Sequence, residues 1–300
     1  MMKCTFILFF VLVQIPLLHA AEMLSLQTSG LVVVFERPLE KVSHEVAKVY
    51  TVVRRELGEG LRWNVDFRPT VVLVRDRGEF RRTVGSDLVV AFAVPGRNLI
   101  VLDTSRGYTK PFTLKTTLKH ELCHLLLHRY IEPDNLPRWI DEGVCQWASG
   151  GLSELAAELE GGTLARAAVS GRLIGLEELE RFPSDAPNLA LAYEESKSFI
   201  EFVERKSGKD GVLSVLGYLR EGYSVDESIR KAVGISMPDL ESEWRANLKR
   251  RHTWVTYLSN NIYTILFAFA TLVTIYGFIR FLKRKREYMD EEEGDENSRE

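Results

Sequence analysis

Apolar positions follow two alternating periods over roughly the first hundred residues and a helical period over most of the remaining chain. Leu31-Val32-Val33-Val34-Phe35 and Thr70-Val71-Val72-Leu73-Val74 are short β-branched runs of the kind that form buried strands. Between them, Ser43 to Leu57 sets Val46, Val49, Tyr50, Val53 and Leu57 at helical spacing. A short helix is expected around Glu79 to Val84. Leu88 to Phe92 and Asn98 to Leu102 are two further β-rich runs separated by Pro95-Gly96-Arg97-Asn98, which predicts a hairpin or two adjacent strands. Thr113 to Tyr130 has no Pro or Gly and carries Leu114, Leu118, Leu122, Leu125 and Leu126, the clearest helix in the chain. Beyond Gly151 the pattern predicts helices over Leu152 to Leu159, Leu176 to Phe182, Leu189 to Lys206, Val212 to Leu219 and Val225 to Ala232, and a last one from Pro238 to about Arg251. The expected fold class is α+β, with a small N-terminal mixed sheet and a helical C-terminal half.

Two apolar segments change the picture at the ends. Lys3, the run Phe6 to Leu18 and the small-residue site Leu18-His19-Ala20 have the layout of a signal peptide over residues 1–20; the alternative is an uncleaved anchor. Trp254 to Ile279 contains no charged residue, and Ile262 to Ile279 is densely apolar, long enough to span a bilayer. A transmembrane helix is therefore expected over 253–282, followed by a basic then acidic tail over 283–300 that is too short and acidic to fold. Arg280 and Lys283 to Arg286 favour a cytoplasmic C-terminus, Lys249 to Arg251 weaken that vote, and the exporting leader decides it. Residues 21–252 are then an extracytoplasmic domain of a single-pass membrane protein. The formal net charge of −3 is too small to vote on nucleic acid, and none is expected as a partner.

His120-Glu121-Leu122-Cys123-His124 is an HExxH motif inside the clearest helix. Side chains at i and i+4 share a helix face, so two imidazoles can meet one Zn²⁺, with Glu121 beside them as the general base that takes a proton from water. His128 lies two turns from His120, too far to share the ion, and reads as a surface or supporting histidine. A third ligand is needed. The zincin class with a His six residues after the motif is excluded, because Tyr130 and Leu127 occupy the required positions. A second helix in Leu136-Pro137-Arg138-Trp139-Ile140-Asp141-Glu142-Gly143 offers a carboxylate, its start suited by Pro137. Asp141 and Cys145 are rival ligands.

HELCH followed by LPRWIDEGVCQW resembles the gluzincins, and in particular the peptidase MA-like family, over about Leu31 to Arg250. The resemblance implies a zincin-like domain and a zinc metallopeptidase with one Zn²⁺ held by His120, His124 and Glu142. Ala192-Tyr193-Glu194-Glu195-Ser196 resembles the Tyr-x-x-Ser helix of that family, which implies Tyr193 as oxyanion donor, with Ser196 on the same side of the helix; a packing tyrosine is the alternative. Gln146 is expected to accept from a ligand imidazole where the family often has an acid. The run Asn98 to Leu102 is a candidate edge for an extended peptide. Cys123 and Cys145 flank the site, either as buried thiols, the favoured reading, or as a bridge. The expected partners are a protein or peptide substrate and the lipid bilayer. Alternative functions are an inactive zincin-fold scaffold, or a zinc amidase acting on a non-peptide cell-envelope substrate.

Overall fold

The computed structural model describes residues 22–84, 89–105, 113–151, 163–183 and 185–297. The leader expected at 1–20 and the helix expected over Leu152 to Leu159 lie outside these residues. The chain divides into two compact units: residues up to Thr163 together with Ile174–Glu241, and Leu164–Leu173 together with the residues from Ser242 onward.

The first unit contains a five-stranded mixed sheet of β1 (Met23–Gln27), β2 (Val32–Glu36), β3 (Thr70–Val74), β4 (Ala91–Val94) and β5 (Leu99–Asp103), in the order β1-β2-β3-β5-β4. The three inner strands β2, β3 and β5 run parallel, with Val33 opposite Val71 and Val71 opposite Ile100, while β1 and β4 are antiparallel edges. Alternation sends Val33, Phe35, Val71 and Leu73 into the core, each buried side chain of this size contributing about 1.5–3 kcal/mol. Strand β1 precedes the first run singled out in the sequence. Its short, half-exposed pattern carries too little apolar signal to register without its partner.

Helix α1 (Glu40–Leu61) crosses between β2 and β3, burying Val46, Tyr50, Val53, Leu57 and Leu61 as its spacing requires. A short α2 (Arg77–Val84) follows β3. Strands β4 and β5 form the expected hairpin, turned by a 3₁₀ segment at Pro95–Arg97 with Asn98 left-handed. Helix α3 (Leu114–Tyr130) is capped by the Thr113 hydroxyl, which accepts from the Thr116 N–H at 3.1 Å. It is buried on nearly every side because α1, β4 and the following helix, α4 (Arg138–Ser149), all pack on it. A 3₁₀ turn at Pro133–Asn135 reverses the chain between α3 and α4.

The first unit ends in helices. The segment expected as a helix over Leu176 to Phe182 forms only a 3₁₀ turn, Glu178–Glu180, since its seven residues are too few to hold a nucleus of their own. Two expected helices follow as one stretch, Ala186–Arg220, broken at Gly208 (φ 72°, ψ 175°), a conformation that glycine adopts without penalty. The portion before the break is here called α5 and packs along α4, with Trp139 edge-on to Phe199 at 5.2 Å. A capped helix, α6 (Val225–Val233), completes this unit.

Helices α4 and α5 approach closely at Gly143. A methyl group there would stand 2.5 Å from the Ser196 carbonyl oxygen and 2.9 Å from Ile200 Cγ1, and the first of these is backbone that cannot yield. Gly143→Ala is therefore expected to cost about 1–3 kcal/mol of stability, read as a lowered denaturation midpoint. An unshifted midpoint would show that the two helices are free to separate.

The second unit holds the residues from Leu164 onward of a helix spanning Thr163–Ser170, the residues beyond Glu241 of a helix spanning Met237–Asn260, and a long helix at Ile262–Asn297. Within the last of these, Ile262–Leu282 is long and apolar enough to cross a membrane, and its large side chains are exposed, Tyr263 at 84% and Phe267 at 76%. The helix continues to Asn297 where the sequence alone predicts an unfolded tail. Lys, Arg, Glu and Met favour helix continuation once a preceding helix supplies the nucleus.

Candidate active site

Helices α3 and α4 bring together the residues singled out in the sequence. His120 and His124 lie one turn apart on α3 and Glu142 in the second turn of α4. The Nε2 atoms of the two imidazoles are 3.1 Å apart, and each is 3.5 Å from Glu142 Oε2. These three atoms all fall within 4.8 Å of one another. Two imidazole nitrogens and a carboxylate oxygen that converge in a buried place need positive charge among them. The surroundings say the same. Burial works against protonation of His124, yet Asp141 and Glu142 overcome it and hold the imidazole well above its ordinary range. Burial would likewise raise Glu142, but His124 and His120 hold its carboxyl well below the usual range. The donor set, two nitrogens and one carboxylate oxygen, fits a divalent zinc ion with a coordination position left open.

Asp141, a rival ligand in the sequence, sits behind His124. Its Oδ1 accepts from His124 Nδ1 at 2.7 Å and its Oδ2 from His128 Nε2 at 2.9 Å. Holding the Nδ1 proton leaves the Nε2 lone pair of His124 directed at the shared centre. Burial opposes the charge on Asp141, and His124 and His128 nevertheless hold its pKa below the ordinary value. His128 is thus a supporting histidine. The expected bond from Gln146 to a ligand imidazole is not made: Gln146 Nε2 donates to the Tyr193 carbonyl oxygen at 3.2 Å and ties α4 to α5. Asp141, read in the sequence only as a rival ligand, makes the imidazole contact expected of Gln146.

Cys123 and Cys145 form a disulfide, where the sequence reading favoured free thiols. The bridge joins the two helices that carry the converging residues, and it removes the Cys145 thiolate from the set of rival ligands. Sequence spacing could not reveal this pairing, because it depends on how closely α3 and α4 pack.

A cavity of about 420 Å³ opens beside this cluster. Glu121 borders it from α3, and burial, helped by Glu142 and Asp141, raises its pKa against the pull of His120 and His124. Tyr193 borders it from α5; burial, reinforced by Glu142, raises the phenol's pKa far above its ordinary value. Ser196 does not reach the cavity. It is fully buried, and its hydroxyl donates to the Ala192 carbonyl at 2.7 Å. The strand facing the cavity is β4, through Ala91, Phe92 and Ala93, while β5, the expected edge, is paired on both sides. Which strand is last in a sheet depends on its order, and that order is invisible to a local pattern. Arg138, in the first turn of α4, also borders the cavity and was not singled out in the sequence.

A family model described as Peptidase MA superfamily matches residues 89–250, more than half of the chain. Among solved structures, the chain is similar to Legionella pneumophila aminopeptidase A, with 15% identity and a TM-score of 0.45 over 74% of this chain and 27% of that one. It is also similar to the M1 zinc metallopeptidase from Deinococcus radiodurans, with 13% identity and a TM-score of 0.41 over 76% of this chain and 51% of that one. The chain spans about a quarter to a half of the length of these neighbours. No curated protein matches it.

Proposed function

This chain belongs to the Peptidase MA superfamily, and from that premise we propose that it is a zinc metallopeptidase hydrolysing peptide bonds at the cluster of His120, His124 and Glu142. The observation that carries the reading is the convergence of these three side chains, with Glu121 at the wall of the adjoining cavity. His120 and His124 through Nε2, with Glu142 through a carboxylate oxygen, would hold one zinc ion. Such an ion supplies Lewis acidity, which polarises a carbonyl and makes nearby water more acidic.

The residues of the chain do the rest. Glu121 takes the proton of the attacking water and returns it to the leaving nitrogen; its raised pKa suits a group that must both accept and release a proton. Tyr193, kept protonated by its burial, donates its phenolic hydrogen to the oxyanion. Asp141 keeps His124 in the required tautomer. The outer edge of β4, last in the sheet among the described residues, offers backbone groups to an extended peptide. On this reading Tyr193→Phe lowers kcat by about 10²–10³-fold with zinc content retained, the loss expected for one oxyanion donor. Undiminished turnover would remove Tyr193 from the mechanism.

We further propose that residues 1–20 export the chain, that 21–252 form the extracytoplasmic peptidase domain, that 253–282 cross the membrane and that 283–300 are cytoplasmic. The length and exposure of the apolar stretch Ile262–Leu282 support the anchor.

The test of the activity is cleavage of an unfolded protein by the purified chain. Loss of cleavage on chelation and recovery on adding zinc at one equivalent are the expected results. Cleavage indifferent to chelator, or a chain that binds zinc and cleaves no peptide bond, would overturn the reading.

A further inference from the structure

Among the described residues that border the cavity, Arg138 is the one carrying a guanidinium or ammonium charge. It projects from the first turn of α4 with its side chain half exposed. Its Nε is 3.9 Å from Glu142 Oε1, while the other oxygen of that carboxylate, Oε2, faces both imidazoles. A separation of 3.9 Å is an ion pair without a hydrogen bond, so Glu142 does not use up the N–H donors of the fork. Tyr193 borders the same cavity. The guanidinium carbon of Arg138 lies 4.6 Å from the centre of the Phe182 ring, which in turn packs edge-on against Tyr193 at 5.0 Å. A guanidinium over an aromatic face is restrained by cation–π attraction, and an arginine fork matches a carboxylate through two parallel bonds. Of the acids bordering the cavity, Asp141 is bonded to His124 and His128, and Glu142 faces both imidazoles through Oε2 and Arg138 only through Oε1.

We propose that Arg138 is a specificity-determining residue that holds a substrate carboxylate about one residue from the scissile bond. The proposal rests on the peptidase reading. The distance follows from its surroundings: Arg138 lies 3.9 Å from Glu142 and borders the same cavity as Tyr193, the two groups that on this reading frame the reacting carbonyl, and an extended chain advances roughly 3.3–3.6 Å per residue. Two sources share this chemistry, the α-carboxylate at the end of a peptide and the side chain of an Asp or Glu beside the bond. An α-carboxylate makes the enzyme remove residues from a chain end; an acidic side chain makes it cut next to acidic residues.

Two matched peptide pairs distinguish them. One peptide ends in a free acid or in its amide, and a longer one carries Glu or Gln beside the cleaved bond. In the full chain, kcat/KM is expected to favour the carboxylate member of one pair by about 10–100-fold, the range for charge-assisted hydrogen bonds. Arg138→Gln brings that ratio to about one, and Arg138→Lys keeps part of it, because charge survives where the fork is lost. Discrimination in the first pair identifies the chain end, and discrimination in the second the side chain. A ratio near one for both pairs, or a ratio that survives Arg138→Gln, would overturn the proposal. A reading free of turnover comes from titration calorimetry of the first pair and of the longer Glu and Gln peptides against the zinc-loaded Glu121→Gln chain. Tighter binding of the carboxylate member, lost when Arg138→Gln is added, upholds the role of Arg138 even where hydrolysis is absent and the peptidase reading has failed. Equal binding of both members of both pairs removes Arg138 as a carboxylate reader.

Discussion

Glu121→Gln is expected to leave one zinc ion per chain and to lower peptide cleavage by about 10²–10⁴-fold, the range for loss of a positioned general base. Glutamine preserves the shape of the side chain at the cavity wall, so the converging atoms of His120, His124 and Glu142 keep their places. What it removes is the ability to take a proton from water and deliver it to the leaving nitrogen. Zinc content by atomic emission, set beside kcat on one peptide, separates these two effects. The comparison also reaches the competing functions. A scaffold that kept the fold without the chemistry would bind its partner equally well with glutamine at this position. An amidase acting on a non-peptide substrate would show the same sensitivity to Glu121→Gln but would leave peptides intact throughout. Full peptide cleavage by the variant would exclude Glu121 as the base.

Glu142→Ala is expected to abolish stoichiometric zinc binding. Replacing a group that merely supports a metal ligand costs roughly 10–100-fold in affinity, and removal of a ligand exceeds that. The geometry gives a further reason. Without Glu142, His120 Nε2 and His124 Nε2 remain 3.1 Å apart with no carboxylate oxygen facing them, and Asp141 cannot replace it because its two oxygens are taken by His124 and His128. Cys145 cannot replace it either while it is bonded to Cys123. Metal titration with a chromogenic competitor reads the affinity directly. Full occupancy in the variant would mean that the third ligand lies elsewhere.

Substitutions at Glu121 and Glu142 can be argued so specifically because the sequence resolved their neighbourhood well. HExxH is local: the pitch of one helix is enough to place His120 and His124 side by side, and that pitch follows from a Pro- and Gly-free run of correctly spaced leucines. The segment from Pro137 to Gly143 was legible for a similar reason, since Pro137 marks a helix start and the acids follow within two turns. Strand–helix–strand alternation from Leu31 to Val74 likewise survives in the period of the apolar residues, because burying one face imposes that period.

Other features depended on residues far apart in the chain. Both Asp141 and Glu142 are carboxylates on one helix, and only the packing of α4 on α3 decided that the second faces the imidazole nitrogens while the first backs His124. The same packing brought Cys123 to Cys145 and turned Gln146 towards α5 instead of a histidine. Ser196 was placed by pattern on the same side of its helix as Tyr193, but it is buried and bonded to its own helix. Sheet order put β4, and not β5, at the edge of the described sheet beside the cavity, and the cavity wall added Arg138. The sequence by itself therefore determined what one helical or strand repeat can express: the fold class, the paired histidines with Glu121, and an apolar stretch long enough for a membrane. The tertiary structure alone decided which strand edge and which cationic side chain border the cavity beside those histidines, because these are distances between separate elements, and such distances are set by close packing and not by any local period.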